Sequence, residues 1–190
     1  MTELDVVRVA LGEAADLHRR VSDSQAAAIV EAAQVMARAI GAGRQVLVFG
    51  NGGSASDAQH FATELVGRFS RERRGWPVIA LTADSSILTA VANDYGFEQV
   101  FARQIEALGR EGDVAMGITT SGTSANVNRG LRRARERGLV TVGLTGRDGG
   151  ETGTIVDVHV NVPGVTSPQV QEVHRTVLHA MCELIERANA

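Results

Sequence analysis

RQVLVFGNGGSASDAQHFATEL, residues 44–65, decides how the rest of the chain is read. An unbroken apolar run ends at Gly50, a short glycine-rich stretch follows, and apolar residues then recur at helical spacing as Ala58, Phe61, Ala62 and Leu65. A run that is apolar at every position suits a strand buried on both faces, and a period near 3.6 suits an amphipathic helix. The segment therefore reads strand, tight loop, helix. DVAMGITTSGTSANV, residues 113–127, repeats the pattern. VIALT (78–82), LVTVGLT (139–145) and IVDVHVNV (155–162) supply three more strands. Helical stretches are expected at 84–92, 97–109 and 124–137, and a closing helix from Ser167 almost to the end. Ahead of the first strand, one helix is expected over 3–20. A second is expected from the Ser22-Asp23-Ser24 cap to Gly41 or Gly43. Continuous apolar strands alternating with helices give an α/β domain: a five-stranded parallel sheet flanked by helices, with an N-terminal helical extension. Residues 1–43 form that extension within the same domain, and 44–190 carry the chemistry. Ligands in such sheets sit beyond the carboxyl ends of strands.

Composition narrows the chemistry. A chain of 190 residues with 44% hydrophobic content is one folded domain, and its formal charge of −3 offers no basic footprint for nucleic acid. No apolar run approaches the roughly 20 residues that span a bilayer, and the charged, amphipathic N-terminus has no signal-peptide core, so no membrane association is expected. The single cysteine, Cys182, forms no internal disulfide, which fits the cytoplasm. All 19 positive residues are arginine. Without lysine there is no Schiff-base route and no phosphate-loop lysine. A bound phosphate must be held by backbone N–H groups, hydroxyls or arginine.

The two loops invite different ligands. Gly50-Asn51-Gly52-Gly53-Ser54-Ala55 fits the loose dinucleotide pattern G-x-G-x-x-A. The acidic residue that should follow about twenty residues later is Asp84, about thirty past the loop, and it is placed to cap a helix. No nucleotide cofactor is expected. Thr119-Thr120-Ser121-Gly122-Thr123-Ser124 carries hydroxyls at five of six positions before a helix. One Ser or Thr suffices to cap a helix, whereas a row of hydroxyls and free N–H groups at a positive helix end makes a cradle for phosphate or carboxylate.

On the helix after the first loop, Asp57, His60, Glu64 and Arg68 fall at i, i+3, i+7 and i+11, on one face. A solvated surface is the ordinary explanation, but this stripe starts where the loop would deliver a ligand. His60 and Glu64, a turn apart, can share a substrate or a metal ion, and the carboxylate can act as a base. On the closing helix, Val170, Val173, Val177, Met181 and Leu184 form the core stripe. His174 lies at its packed edge and reads as structural. Gln171 and His179 point away from it, so His179 matters only if something covers that face. RERRG (71–75) reads as a solvated loop or a mobile flap.

GNGGSASDAQHFATEL, TAVANDYGFEQVFARQIEALGREGD, TTSGTSANV, LTGRDGG and QEVHRTVLHAMCELIE, in this order from about residue 45 to the end, resemble the phosphoheptose isomerases, whose fold is a single sugar-isomerase (SIS) domain. The resemblance implies interconversion of sedoheptulose 7-phosphate and D-glycero-D-manno-heptose 7-phosphate by a homotetramer with sites between subunits, which would supply the cover for His179. It implies that Asn51, Gly52, Gly53, Asn93 and Asp94 touch the sugar. Thr119, Thr120, Ser121 and Ser124, helped by Ser54, would hold the phosphate. Glu64 would be the base in contact with substrate, His179 the acid and Gln171 a substrate contact. Some members place zinc on the positions matching His60, Glu64, Gln171 and His179. Thr119 and Thr123 stand where relatives often have Ser and Asn, and Gln169 replaces a common arginine. Related SIS proteins act as non-catalytic regulators or on other sugar phosphates; retention of Glu64 and His179 favours the heptose enzyme.

Overall fold

In the computed structural model, which describes residues 1–189, alternate residues of the central strands serve two separate cores. Val46 and Val48 of β1 (Val46–Gly50) and Val114, Met116 and Ile118 of β3 (Val114–Thr119) face one helical layer. Leu47, Phe49 and Ala115 face the other. Side chains leave a strand on opposite sides with period two, so apolar residues at every position call for helices on both faces. The first face is covered by α1 (Glu3–Gly41), α2 (Gly53–Val66) and α7 (Ser167–Asn189). The second is covered by α4 (Val100–Leu108) and α5 (Ala125–Glu136), with α3 (Ser85–Tyr95) packed more loosely beside them. With β2 (Val78–Ala80), β4 (Val140–Gly146) and β5 (Val158–Val162) the sheet has five strands, ordered β2-β1-β3-β4-β5 and parallel throughout. The expected strand at 155–162 starts later: Ile155 ends the short α6 (Thr152–Ile155), and it packs with Val156 against the second core.

The strand order creates the crevice. The chain leaves β1 to build β2 on one side, then crosses back to build β3 on the other. Loops after β1 and β3 therefore turn away from each other at the ends of adjacent strands, which opens a cleft between them.

The N-terminal region is one helix, not two. Thr2 and Asp5 form a reciprocal capping box, the Asp5 N–H donating to Thr2 Oγ1 at 3.2 Å and the Thr2 N–H to Asp5 Oδ2 at 2.9 Å. Ser22, Asp23 and Ser24 do not start a second helix: all three are exposed, and the Ser24 hydroxyl donates back to the Arg20 carbonyl at 2.8 Å. Residues that favour caps lower helix propensity only slightly when they face water mid-helix, so the helix runs through them. Its 39 residues extend about 58 Å at 1.5 Å per residue. Residues from Leu17 onward join the core, while Leu4, Val7 and Leu11 are exposed.

In the segment 71–75 Arg71, Glu72, Arg74 and Gly75 are exposed, as expected of a solvated loop, but Arg73 is not. Arg73 is buried and donates from Nε to Oε1 of Glu186 on α7 at 3.0 Å. Burial alone would raise the Glu186 carboxyl, but the N–H groups of Ser70, Phe69 and Arg71 and the Ser70 hydroxyl hold it down at about 2, from an ordinary 4.5. Arg71 and Glu183 flank this cluster. A depressed folded-state value gives stability that is fully present above pH 4.5 and is lost as pH falls toward 2. Urea unfolding across that window should show a loss of roughly 3 kcal/mol from this carboxylate, and the Glu186→Gln variant should lose that part of the slope. An identical acid dependence in the variant would remove the assignment.

Candidate active site

Between the loops after β1 and β3 lies a cavity of about 280 Å³. Asn51, Gly52, Gly53 and Ser54 line it from one side, and Thr119, Thr120 and Ser124 from the other. The loops are tied by a reciprocal amide pair: Asn51 Nδ2 donates to Asn126 Oδ1, and Asn126 Nδ2 to Asn51 Oδ1, each at 2.8 Å. Gly52 takes φ +55°, ψ −121°, a backbone that glycine adopts at least cost. A third wall comes from the start of α7, where Ser167 and Gln171 reach the cavity. Gln171 lies so close to the Gly53 backbone that a Cβ there would overlap it.

The hydroxyls are not helix caps. Ser124 occupies the N-cap position of α5 yet makes no side-chain capping bond. Its Oγ lies 3.0 Å from Thr119 Oγ1, and Thr120 Oγ1 lies 3.0 Å from Ser167 Oγ. Ser121 is outside the cavity lining: its Oγ accepts from the N–H of Thr123 at 3.2 Å and lies 3.4 Å from Thr119 Oγ1. Three helices, α2, α5 and α7, thus begin at one cavity, and their positive ends and hydroxyl donors favour an anion there. The loop keeps its shape because Gly122, at φ +69°, rests on the backbone of Gly149 and Gly150, and its carbonyl accepts from the Thr152 N–H at 2.9 Å. A Cβ at Gly122 would overlap the Gly149 carbonyl oxygen. Gly122→Ala should therefore weaken binding of inorganic phosphate about tenfold or more in an NMR titration, a change of ~1.4 kcal/mol. Unchanged affinity would show that this loop does not hold the anion.

Along α2 and α7, away from the cavity, lies a second cluster. His60 Nε2 is 2.8 Å from His179 Nε2 and 3.4 Å from Glu64 Oε1. The ligand atoms of the three residues lie within 4.8 Å of one another. His179 also packs against Phe69, ring centroids 5.7 Å apart. Within this chain His179 meets His60 of α2 and Phe69 just past it, and it stays half-buried. His179 points away from the stripe that packs α7 onto the core, and α2 is what it meets. Two imidazoles and a carboxylate with one side open form a nitrogen–oxygen donor set of the kind that holds zinc. Burial, and then the charge of Arg175, lower the titration of His60, which favours its neutral form.

Asp57, the first member of the stripe, is not solvated. It is buried, and Arg175 Nη2 lies 2.6 Å from its Oδ1. Burial pushes the Asp57 carboxyl up, against the pull of Arg175. Arg68, the fourth member, falls outside the helix, which ends at Val66, and it faces solvent near Glu72. Asn93 and Asp94 sit together at the exposed end of α3, outside the cavity lining, with Asn93 Nδ2 donating to Asp94 Oδ1 at 2.8 Å. His174 is buried as the sequence suggested, its Nε2 2.9 Å from the Thr145 carbonyl. Sequence reasoning missed Ser167, Asn126 and Arg175. For two of them a signal existed: Ser167-Pro168 is a helix start, and Arg175 lies one turn from both Gln171 and His179.

Comparison with known proteins supplies the remaining finding. The SIS domain family matches residues 11–146. A phosphoheptose isomerase of Geobacter sulfurreducens is 56% identical over 159 residues, covering 84% of each chain. The solved phosphoheptose isomerase of Neisseria gonorrhoeae superposes with a TM-score of 0.93 at 41% identity, over 98% of this chain and 100% of that one. That of Francisella tularensis gives a TM-score of 0.95 at 36% identity, over the same shares.

Proposed function

Because this chain belongs to the phosphoheptose isomerases of the SIS-domain family, we propose that it interconverts sedoheptulose 7-phosphate and D-glycero-D-manno-heptose 7-phosphate by acid–base proton transfer. The observation that carries the reading is the pairing of two places: a hydroxyl-lined cavity at three helix starts, and a Glu64–His179 pair further along two of those helices. His60 lies seven residues beyond Gly53 and His179 eight beyond Gln171, roughly 10–12 Å at the helical rise. A seven-carbon chain with phosphate at one end and its reacting carbons at the other fits that separation.

Aldose–ketose conversion moves a proton between neighbouring carbons. Glu64 takes a proton from C1 of the ketose while His179 protonates the carbonyl oxygen on C2. From the resulting enediol His179, having given up its proton, takes the C1 hydroxyl proton, and Glu64 returns its proton to C2, which leaves the aldose and restores both groups. Thr119, Thr120, Ser121 and Ser124, helped by Ser54, hold the phosphate while Asn51, Gly52 and Gly53 on the facing loop touch the sugar, and that remote binding orients the carbons. The Asn51 amide, already paired with Asn126, serves by shaping the cavity.

Zinc fits His60, Glu64 and His179, and when bound it would supply Lewis acidity to the carbonyl–hydroxyl pair; Gln171, which rests against Gly53 in the cavity wall, would complete the set only by turning from that contact. A carboxylate or imidazole bound to the ion has its lone pair engaged, so metal loading and proton transfer compete for the same atoms. A homotetramer is supported by two unpartnered apolar surfaces: Leu4, Val7 and Leu11 on α1, and Ile87, Tyr95 and Phe97 around α3, a helix with no buried residue. A second copy against α3 would give Asn93 and Asp94 a neighbour to act upon. Among the described residues no helix is long and apolar enough to cross a membrane. Incubation with sedoheptulose 7-phosphate, followed by NMR, tests the reading: aldose phosphate should appear. No turnover with or without added zinc would leave a sugar-phosphate-binding protein instead.

A further inference from the structure

Arg73 and Glu186 do not line the cavity and make no bond to the side chains of Glu64 or His179, yet the structure buries both, their side chains 5% and 0% exposed. Arg73 Nη2 donates to the Glu64 carbonyl at 2.9 Å, and Nη1 donates to the carbonyls of Leu65 and Gly67, each at 2.9 Å. These are carbonyls at the C-terminal end of α2, a place where a helix leaves acceptors without partners. The guanidinium plane lies 3.8 Å from the centre of the Trp76 ring, which fixes its orientation. From the other side Glu186 accepts from Arg73 Nε, and from the N–H groups of Phe69, Ser70 and Arg71 just past the helix end. Glu186 stands seven residues beyond His179 on α7, two turns along the same face.

One guanidinium therefore grips the peptide of Glu64 itself and the helix that carries His179. We propose that Arg73 and Glu186 are positioning residues that set the separation of Glu64 and His179 by clamping the last turn of α2 to α7; the inference rests on the isomerase reading above. Glu64 lies two residues from the end of its helix, where the backbone frays unless its carbonyls are held. A displacement of about 1 Å between reacting groups can lower a rate a hundredfold. The hydroxyls of the phosphate cradle, at the end of β3 and the start of α5, make no bond to Arg73 or Glu186, and the parts of α2 and α7 that reach the cavity are at the opposite ends of those helices from the clamp.

Arg73→Lys and Glu186→Gln test the inference in the full-length protein, at a temperature where circular dichroism shows each variant folded. Lysine keeps a positive charge for Glu186, but its single nitrogen cannot meet the carbonyls of Glu64, Leu65 and Gly67 together. With sedoheptulose 7-phosphate as substrate, each variant should lose tenfold or more in kcat while KM stays within about threefold, the split expected when alignment fails and phosphate binding persists. A kcat within twofold of the unaltered protein overturns the inference, as does a loss that only tracks the unfolded fraction or a KM that rises in proportion. Failure of both variants to fold would assign the pair to stability alone and also overturn it. An unaltered protein with no turnover would defeat the isomerase reading and this inference with it, whereas an active protein with unaffected variants defeats this inference alone.

Discussion

Glu64→Gln should lower the turnover of sedoheptulose 7-phosphate by about a hundredfold or more, with KM little changed. Glutamine keeps the size of the side chain and leaves a polar atom near His60, now 3.4 Å from the carboxylate. What it removes is the capacity to accept a proton from carbon. The carboxylate is part-buried, and the carbonyl that Arg73 holds belongs to the backbone, so the substitution should leave the fold and the clamp intact. The cavity opens at the start of α2, about a dozen residues before Glu64, and the cradle hydroxyls on the loop between β3 and α5 are unchanged. Steady-state kinetics by NMR would read the effect, and a rate within tenfold of the unaltered protein would take the base role away from Glu64.

His179→Ala should reduce turnover on the same scale, because the oxygen-side proton transfer then has no donor in reach. The truncation also opens a space beside Phe69 and His60 that an imidazole-sized molecule can enter. Added imidazole should therefore restore part of the lost rate to His179→Ala and none to Glu64→Gln. That contrast separates loss of a chemical group from loss of local packing. Restoration in neither variant, together with near-normal activity in His179→Ala, would mean that His179 is only a neighbour of the site.

The strand–loop–helix units at 44–65 and 113–127 were legible because burial on both faces leaves a signature at every residue of a strand. The excess of hydroxyls at 119–124 was legible because one would have capped the helix; the structure shows Ser124 bonded to Thr119 instead. Tertiary pairing was not. Nothing local tells which helix α7 will meet on its second face, so the contact of His179 with α2 within one chain lay beyond a reading of α7 alone. RERRG looks solvated by composition, and it takes the distant Glu186 together with Trp76 and the carbonyls at the end of α2 to make Arg73 an interior residue. The uninterrupted α1 illustrates the reverse case, in which a local cap signal at Ser22-Asp23-Ser24 is outweighed by continuous helix on either side. Helical periodicity placed Arg68 on the stripe, but it could not foresee that the helix would stop at Val66.

A crystal structure of the protein with sedoheptulose 7-phosphate tests most directly whether cradle and proton-transfer pair form one site. The phosphate should lie against Thr119, Thr120, Ser121 and Ser124, with C1 and C2 within about 3.5 Å of the Glu64 carboxylate and the His179 imidazole. A ligand bound elsewhere, or one whose reacting carbons face solvent with Glu64 and His179 turned from them, would contradict the account.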